Sequence, residues 1–467
     1  MSAEAFSESL QFPNVKKRAV ASRSYRVRLP PTNSTSFLPG QTVQFDLPAN
    51  LAGSYFNSNQ CYLKFKLTNS GGNADLDRCG ALSVFRRMQI STSGAQIADI
   101  DRYNTLACAM LDADASQEWK TSVGAKLIGT TGNLRGEYIA TGGDRDFCVP
   151  FVLNPLSQTT PHRMIPLFSL SSLQIRMTLD DAATALHHHG GAAAAYTLSE
   201  VEMVMMITEL SAGAQAQIDA MTGGNYQILC TSWIHSSASI PAGVTSVTAN
   251  LGFSMSSLER VVIAITPTAT ENATGAYSLG NRCSMGLSEY SLLINSEQYP
   301  ARPIVVGGQG AEPLAEMLIS DHSLADFSRG NGLQNGYAPI AGTTVVGGAG
   351  FSSFANISPN VGSNAPDPYL LDAAGATGLS PGLVATAALP VASNVGTFLA
   401  AIELESAISD GRSSHIYSGI STLASTVQLL MRFNAATTAA ATAHCFANFT
   451  VLLSLNARGT GVYSISI

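Results

Sequence analysis

Apolar and polar residues alternate with a period of two along much of the chain. In the segment CYLKFKL, residues 61–67, the residues Cys61, Leu63, Phe65 and Leu67 fall on one side and the tyrosine and lysines between them on the other. The same alternation recurs in LQIRMTLD (173–180), EVEMVMMIT (200–208), VQLLMRFN (427–434) and NFTVLLSLN (448–456). Successive side chains of a strand point to opposite faces, so the pattern predicts half-buried antiparallel strands in both halves of the chain.

Helical periodicity is confined to three segments. Asp101 is a plausible N-cap, and apolar residues follow it at i, i+3, i+4 and i+7, namely Tyr103, Leu106, Ala107 and Met110. Pro313 stands where a second helix would start, and Leu314, Met317 and Leu318 repeat the spacing. The third segment, residues 211–221, lies near the midpoint of the chain and is followed by two glycines, which predicts a connector helix.

One order of elements occurs twice. Residues 84–111 predict a strand, a turn, a strand and a helix, and residues 288–327 predict the same order without matching residue identities. In each half this unit lies between early and late strands, so the architecture repeats although the sequence does not. We therefore predict a first β domain over 29–222, which includes the connector helix, and a second over 223–467.

A Gly-, Ala- and Pro-rich segment, 329–398, predicts a long ordered loop crown in the second domain.

Length and charge agree with two large β domains that are partly covered. A chain of 467 residues is long for one domain, and all-β domains reach about 250 residues. Only 12% of the residues are charged, against about 25% in typical proteins. A surface covered by copies of the same protein explains this depletion, because charge is depleted at the centres of interfaces. A protein that tolerates a neutral surface is the alternative.

The charge is unevenly distributed along the chain. Residues 1–28 contain six basic residues against Glu4 and Glu8, a net charge of +4, whereas the whole chain carries −7. The basic residues are Lys16, Lys17, Arg18, Arg23, Arg26 and Arg28. A basic arm on an acidic body is a common arrangement for contact with nucleic acid or an acidic neighbour, and a merely solvated tail is the alternative.

Motifs for catalysis or metal binding fail on their chemistry. The segment GLSPG, residues 378–382, matches a nucleophile elbow, but Pro381 lacks the backbone N–H that the oxyanion hole requires. In the tract 187–189, adjacent histidines of a strand would point to opposite faces. The paired acids Asp99/Asp101, Asp112/Asp114 and Asp144/Asp146 lack the rest of a calcium loop and are expected to cap helices and turns. The sequence therefore predicts neither an enzyme nor a bound cofactor or metal.

The seven cysteines predict buried free thiols. They are scattered, odd in number and never in CxxC spacing, which disfavours a disulfide framework or a zinc site. The segment MSAEAFSESLQFPNV, residues 1–15, lacks the apolar core of a signal peptide. We therefore expect assembly in a reducing compartment of a cell.

Four segments resemble one family, the double-jelly-roll major capsid proteins. Within this family they are most similar to the proteins of polinton-like viruses, adintoviruses and virophages. They are TSFLPGQTVQFDLPANLAGSYFNSNQCYLKFKLTN (35–69), ALSVFRRMQISTSGAQIADIDRYNTLACAML (81–111), YSLLINSEQYPARPI (290–304) and FLAAIELESAISDGRSSHIYSGISTLASTVQLLMRFN (398–434). The resemblance implies an all-β fold of two tandem eight-stranded jelly rolls with short flanking helices.

The resemblance also implies a function. Three chains would form a homotrimeric capsomer of pseudo-hexameric outline, which tiles an icosahedral virus shell around a DNA genome. The partners would be other copies of the chain, penton and minor capsid proteins, and the genome or an inner membrane near residues 1–28. A tandem β-sandwich binding or adhesion protein, lectin-like, is the competing hypothesis. It predicts charged sides and an aromatic-lined groove, which the sequence does not offer.

Overall fold

The computed structural model describes most of the chain outside its N-terminal segment and two long stretches of the second half. The described ranges are 22–49, 51–92, 95–131, 135–160, 163–170, 172–188, 194–271, 277–280, 282–306, 311–321, 324, 397–405, 419–437, 439–456 and 462–466. The predicted crown, 329–398, and the GLSPG motif therefore lie outside the described residues, apart from Thr397 and Phe398.

The first half folds into strands with short helices between them. Its strands are β1 (Ser22–Leu29), β2 (Ser36–Phe37), β3 (Thr42–Leu47), β4 (Ser54–Asn69), β5 (Ala74–Asp77), β6 (Phe85–Thr92), β7 (Ala95–Ile100), β8 (Arg135–Ile139), β9 (Asp144–Pro150), β10 (Thr159–Thr160), β11 (Ile165–Pro166), β12 (Leu173–Leu179), β13 (Leu186–His188) and β14 (Tyr196–Leu210). Its helices are α1 (Tyr103–Asp114), α2 (Gln117–Thr121), α3 (Val123–Leu127), α4 (Ala182–Ala185) and α5 (Ala212–Thr222).

The second half repeats this plan. Its strands are β15 (Asn225–Ile240), β16 (Ser246–Asn250), β17 (Leu258–Pro267), β18 (Leu287–Ile294), β19 (Glu297–Val305), β20 (Ala400–Glu403), β21 (Val427–Phe433), β22 (Ala441–Asn456) and β23 (Val462–Ser466), and its helix is α6 (Ala311–Ser320).

Each half forms a sandwich of two antiparallel sheets, one with four strands and one with six, of which four recur in both halves. In the first sandwich β1-β14-β4-β9 faces β3-β12-β6-β7, and in the second β15-β22-β17-β20 faces β16-β21-β18-β19. Taken in chain order, the eight strands of one sandwich correspond one to one with the eight of the other. The predicted repeat of architecture and the all-β double-jelly-roll fold are therefore confirmed. The strand–turn–strand–helix units are β6, β7 and α1 in one half and β18, β19 and α6 in the other.

Alternating residues fill each sandwich, as the sequence pattern predicts. In β4 and β12 every predicted apolar position is buried, with partly exposed or exposed residues between them. Phe65 of β4 meets Phe85 of β6 edge to face at 5.5 Å, and this contact joins the two sheets of the first sandwich. The buried apolar residues of the two halves form one continuous cluster, so the two cores are not separated by solvent.

The three predicted helices are present, with one error at an N-terminus. The connector helix α5 is confirmed: Ser211 accepts a hydrogen bond from Ala214 N and Gly223 closes the helix at φ 63°. Asp101, however, does not cap α1. Arg102 occupies the N-cap in the left-handed region without a side-chain capping bond. The Asp101 carboxylate faces His235 of the second sandwich instead.

The predicted basic arm is in part a strand. Arg23, Arg26 and Arg28 belong to β1, which pairs with β14 from Ser22 to Leu29. The first sandwich therefore includes Ser22–Leu29, whereas the sequence predicted that it begins at residue 29. Lys16, Lys17 and Arg18 lie outside the described residues.

Candidate functional site: the junction between the sandwiches

Strand β22 of the second sandwich is buried on both faces over much of its length. Every residue of β22 from Ala443 to Thr450 is buried, although an outer sheet of an isolated sandwich would expose alternate residues. Its neighbour β15 contacts β7 of the first sandwich. The two sandwiches therefore meet side by side, with the β15-β22 sheet against the first.

Polar side chains cross this contact as pairs. His235 Nδ1 lies 3.7 Å from Asp101 Oδ2 across the contact, and within the second sandwich His235 Nε2 lies 3.1 Å from His444 Nδ1. Arg102 donates to Glu271 Oε1 at 2.9 Å, with both side chains less than a fifth exposed. The neighbouring His235 ring holds the pKa of Asp101 down at about 2, although burial opposes the shift.

The loop between β17 and β18 enters the first sandwich. The Tyr277 hydroxyl donates to Asp75 Oδ2 at 3.0 Å, and its ring stacks on His187 with centroids 4.4 Å apart. The backbone N–H groups of Leu279 and Gly280 donate to the two carboxylate oxygens of Asp77 at 2.9 and 3.0 Å. Burial raises the pKa of Asp77 to about 6, and these N–H groups partly offset the rise.

The same loop carries Arg282 to a buried carboxylate. Arg282 Nη2 donates to Asp112 Oδ2 at 2.6 Å, while Asp112 Oδ1 accepts from Arg78 Nε at 2.8 Å and Lys120 Nζ at 2.9 Å. Burial favours the protonated acid, but the three cations overcome it and hold the pKa of Asp112 far below its usual range. We call the set of Asp75, Asp77, Arg78, Asp112, Lys120, Tyr277 and Arg282 the junction cluster.

Charge balance explains why this cluster tolerates burial. It contains three cationic side chains and three carboxyl groups, and all of these side chains are at most 5% exposed. A buried charge without a partner is strongly unfavourable, so removal of one member leaves another uncompensated. The two sandwiches are therefore fixed to each other by Arg282 and Tyr277 of the second, whose polar groups pair with buried carboxylates of the first.

Two further contacts extend the junction. β10, from the first half of the chain, pairs with β15 so that Thr159 faces Cys230. Phe168 stands edge to face between Tyr55 and Tyr226, with centroids at 5.4 and 5.5 Å. Main-chain pairing and aromatic packing thus reinforce the ion pairs along the same boundary.

Of the basic residues that the sequence singled out, Arg23, Arg26 and Arg28 are described, and they lie on β1 outside the junction cluster. Arg28 pairs with Glu202 at 3.4 Å on an exposed face, and the Arg23 guanidinium lies 5.1 Å from the Tyr25 ring centroid. A contact of Arg23, Arg26 and Arg28 with nucleic acid or an inner face stays a prediction.

The acids Asp99 and Asp112, expected to cap helices or turns, instead pair with arginines: Asp99 with Arg87 at 2.5 Å, and Asp112 with Arg78 and Arg282.

The cysteines and histidines have structural surroundings. All seven cysteines are free thiols, and six of them are buried, as predicted. His187 stacks on Tyr277, while His189 lies outside the described residues. Among the described residues no group of three or more histidine, cysteine, aspartate or glutamate side chains is arranged to hold a metal ion. In the same part of the chain no helix combines the length and hydropathy that crossing a bilayer requires.

Two eight-stranded sandwiches fixed side by side define the double-jelly-roll class of proteins, and solved structures of this class are similar to the chain along almost its whole length. PBCV-1 VP54, fitted into a reconstruction of the virophage Sputnik, matches 97% of this chain and 99% of its own at a TM-score of 0.56 and 11% identity. The Faustovirus major capsid protein matches 96% of this chain and 93% of its own at a TM-score of 0.59 and 8% identity. No family profile and no curated protein sequence matches the chain.

Proposed function

We propose that this chain is the major capsid protein of an icosahedral DNA virus or virus-like element. The observation that carries the proposal is the junction cluster, which holds two similar sandwiches as one body through the buried Arg282–Asp112 ion pair and through hydrogen bonds from the 277–280 segment to Asp75 and Asp77. A binding protein with two independent modules gains nothing from such a junction. A tile of fixed shape requires it, because each tile must present the same outline to its neighbours.

The duplication has a geometric use in a shell. Three chains around a three-fold axis carry six sandwiches, so the trimer gains a nearly six-fold outline that tiles a flat lattice. Closed symmetry covers the flanks of each subunit. The low charged fraction, 12%, agrees with flanks that copies of the chain cover. The similarity to PBCV-1 and Faustovirus capsid proteins supports the same function.

The oligomeric state of the purified chain tests this proposal. Light scattering during gel filtration is expected to give three times the 48.7 kDa of one chain. Electron microscopy of the same fraction is expected to show particles of hexagonal outline. A chain that remains a monomer at micromolar concentration in low salt contradicts the proposal and favours the tandem binding protein.

The N-terminal basic residues form a separate part of the proposal. We expect Lys16, Lys17 and Arg18 to face the genome, an inner membrane or minor capsid proteins. Deletion of residues 1–21 tests this without removing β1, whose pairing with β14 begins at Ser22. The truncated chain should still form trimers but carry less nucleic acid into assembled particles. Unchanged nucleic-acid content removes these residues from the mechanism, and the trimer proposal is unaffected.

A further inference from the structure

The edge strand of one sheet in the first sandwich is left open where its counterpart in the second is covered. Strands β1, β14, β4 and β9 correspond in chain order to β15, β22, β17 and β20. The side chains of β22 that point away from the core of the second sandwich are at most 5% exposed, namely His444, Phe446, Asn448 and Thr450. The outer edge of β15 is covered by β10, whereas in the described part of the chain β1 pairs with β14 alone. The outer edge of β1 therefore presents backbone groups that another chain can meet.

Equivalent residues of the two sheets follow from strand pairing. Phe56 of β4 and Leu258 of β17 correspond, since each pairs with the connection that runs on to β12 or to β21. Their partners on the next strand, Ile207 of β14 and Phe449 of β22, correspond in turn. The β1-β14 and β15-β22 ladders contain no bulge, so counting along them carries the correspondence to the residues that point outward.

The count reveals a polar pair at the same place on both sheets. It aligns Arg28 of β1 with His235 of β15, and it aligns Glu202 of β14 with His444 of β22. His235 Nε2 lies 3.1 Å from His444 Nδ1, and both rings are at most 9% exposed at the contact with Asp101. Arg28 Nη1 lies 3.4 Å from Glu202 Oε2, but the Arg28 side chain is 65% exposed. The first sandwich therefore carries, uncovered, the pair that the second buries.

The opposite side of the junction is repeated in the same way. A bulge follows the first residue of β6 and the first residue of β18, which aligns the two strands. Their hairpin registers then align Ile100 with Ile304, and so the next residues, Asp101 and Val305, with each other. Asp101 is the residue that faces His235 across the junction at 3.7 Å. Val305 is apolar and yet 50% exposed.

One chain thus presents both halves of a second junction and cannot join them itself. β1 lies in the sheet opposite β7, and β19 lies in the sheet opposite β15, so both open surfaces point away from the contact between β7 and β15. The occupant that carries the matching surface is a second copy of this chain.

We propose that the β1-β14 face of one copy, at Arg28 and Glu202, docks on the β19 flank of another copy, at Val305. Such a contact is head to tail, and head-to-tail contacts close into rings when the rotation permits. This inference rests on the proposed function, since it names the surfaces through which three chains close the capsomer. It also gives Arg28 a role in subunit contact, where the sequence predicted nucleic acid or an inner face.

Crosslinking between two variants of the full-length chain tests the contact. Both carry Cys148→Ser, which removes the cysteine that is only partly buried. Copies with Arg28→Cys are co-expressed with copies with Val305→Cys and treated with a short bismaleimide. A crosslinked dimer should form, and neither variant alone should give one. Val123→Cys is the matched control, since Val123 is 49% exposed against 50% for Val305, and it should give no dimer with Arg28→Cys.

A charge at the contact tests its contribution to assembly. Val305→Arg should raise the concentration at which trimers dissociate by about tenfold or more, because a charge without a partner is unfavourable in a covered contact. Val123→Arg should leave the trimers unchanged, and melting curves establish that both variants are folded.

The outcomes separate this contact from the capsid proposal. Trimers that give no product between Arg28→Cys and Val305→Cys overturn the contact and leave the capsid proposal standing, whereas a parent chain that forms no trimers overturns both. Equal crosslinking with Val123→Cys overturns the contact, and so do Val305→Arg trimers as stable as those of the parent. Unchanged trimers with less nucleic acid in Arg28→Gln particles assign Arg28 to the genome and overturn it as well.

Discussion

Arg282 Nη2 of the second sandwich lies 2.6 Å from Asp112 Oδ2 of the first, 170 residues earlier in the chain, and both side chains are essentially inaccessible to water. Arg282 is fully buried, and the carboxylate with which it pairs belongs to the other half of the chain. The pair therefore joins the folding of one sandwich to that of the other. A protein built in this way should unfold as one unit, and its stability should depend strongly on this contact.

The first prediction concerns that pair. Arg282→Ala leaves Asp112 paired with Arg78 and Lys120 but removes a charge-assisted hydrogen bond between the two sandwiches, and such a bond contributes about 1.5–3 kcal/mol. We expect the free energy of unfolding to fall by this amount, measured from denaturant midpoints.

Arg432→Ala is the matched control. Arg432 pairs with Glu289 at 2.8 Å, but its side chain is 67% exposed, so its removal should cost less than about 1 kcal/mol. Equal losses in the two variants would mean that the junction cluster contributes no more than a surface ion pair.

The second prediction concerns two glycines in contrasting positions. Gly80 has φ 60°, and a Cβ there would stand 2.1 Å from the carbonyl oxygen of Ile128. Gly80→Ala should therefore lower the free energy of unfolding by at least about 2 kcal/mol. Gly213 lies inside α5 with open space around it, so Gly213→Ala should raise the free energy by about 0.5–1 kcal/mol. The sign of the two shifts in melting temperature checks this, and a loss at Gly213 would contradict it.

Sequence periodicity predicted the strands because burial of one face requires alternation, and this holds for Cys61, Leu63, Phe65 and Leu67 in β4. It also predicted the connector helix, whose cap at Ser211 and closing glycine are local signals. These features depend on neighbours within a few residues, and the sequence therefore contains the information directly.

The junction cluster was not predictable in the same way. Asp112 and Arg282 are far apart in the sequence, and no residue near either of them indicates that the two form a pair. The error at Asp101 has the same cause. A local rule predicted an N-cap, but the Asp101 carboxylate faces His235 of the other sandwich instead of capping α1. Only the charge of a residue inside an apolar run, such as Asp112 in α1, could have signalled a buried ion pair.

The third prediction uses two carboxyl groups near the edge of the second sandwich. Burial raises the pKa of Glu259 and that of Glu403 to about 7, with the nearby Glu405 adding to both shifts and Arg260 opposing them. Since both pKa values lie above those of the unfolded chain, protonation favours the folded state. Stability should therefore rise as pH falls from about 7.5 to 6, by about 1 kcal/mol per pH unit.

The double variant Glu259→Gln/Glu403→Gln should lose this rise. Glutamine keeps a hydrogen-bond partner for Thr450, which donates to Glu259. The slope of melting temperature against pH between 7.5 and 6 is the measurement, and an unchanged slope in the double variant would refute the assignment.

The fourth prediction concerns His444 in the contact between the sandwiches. Burial lowers the pKa of His444 to about 3, with His235 and Arg102 adding to the shift and Asp101 opposing it. Glu271 also faces the ring, 3.7 Å from His444 Nε2, and His235 Nε2 lies 3.1 Å from its Nδ1. The folded state therefore keeps this histidine neutral, whereas the unfolded chain takes up a proton below pH 6.5. Its contribution to stability is present above pH 6.5 and is lost as pH falls toward 3.

Between pH 6.5 and 5 this loss should reach about 2 kcal/mol, because one proton corresponds to about 1.4 kcal/mol per pH unit. His444→Gln removes the titrating group and keeps a polar side chain at the contact. Its free energy of unfolding should therefore decline less steeply over this range than that of the parent chain, by about 1.4 kcal/mol per pH unit. Comparison in the Glu259→Gln/Glu403→Gln background separates this effect from the opposing carboxyl groups. A variant with the parent's slope would mean that His444 is already protonated in the folded protein, with Glu271 or Asp101 as its counter-ion.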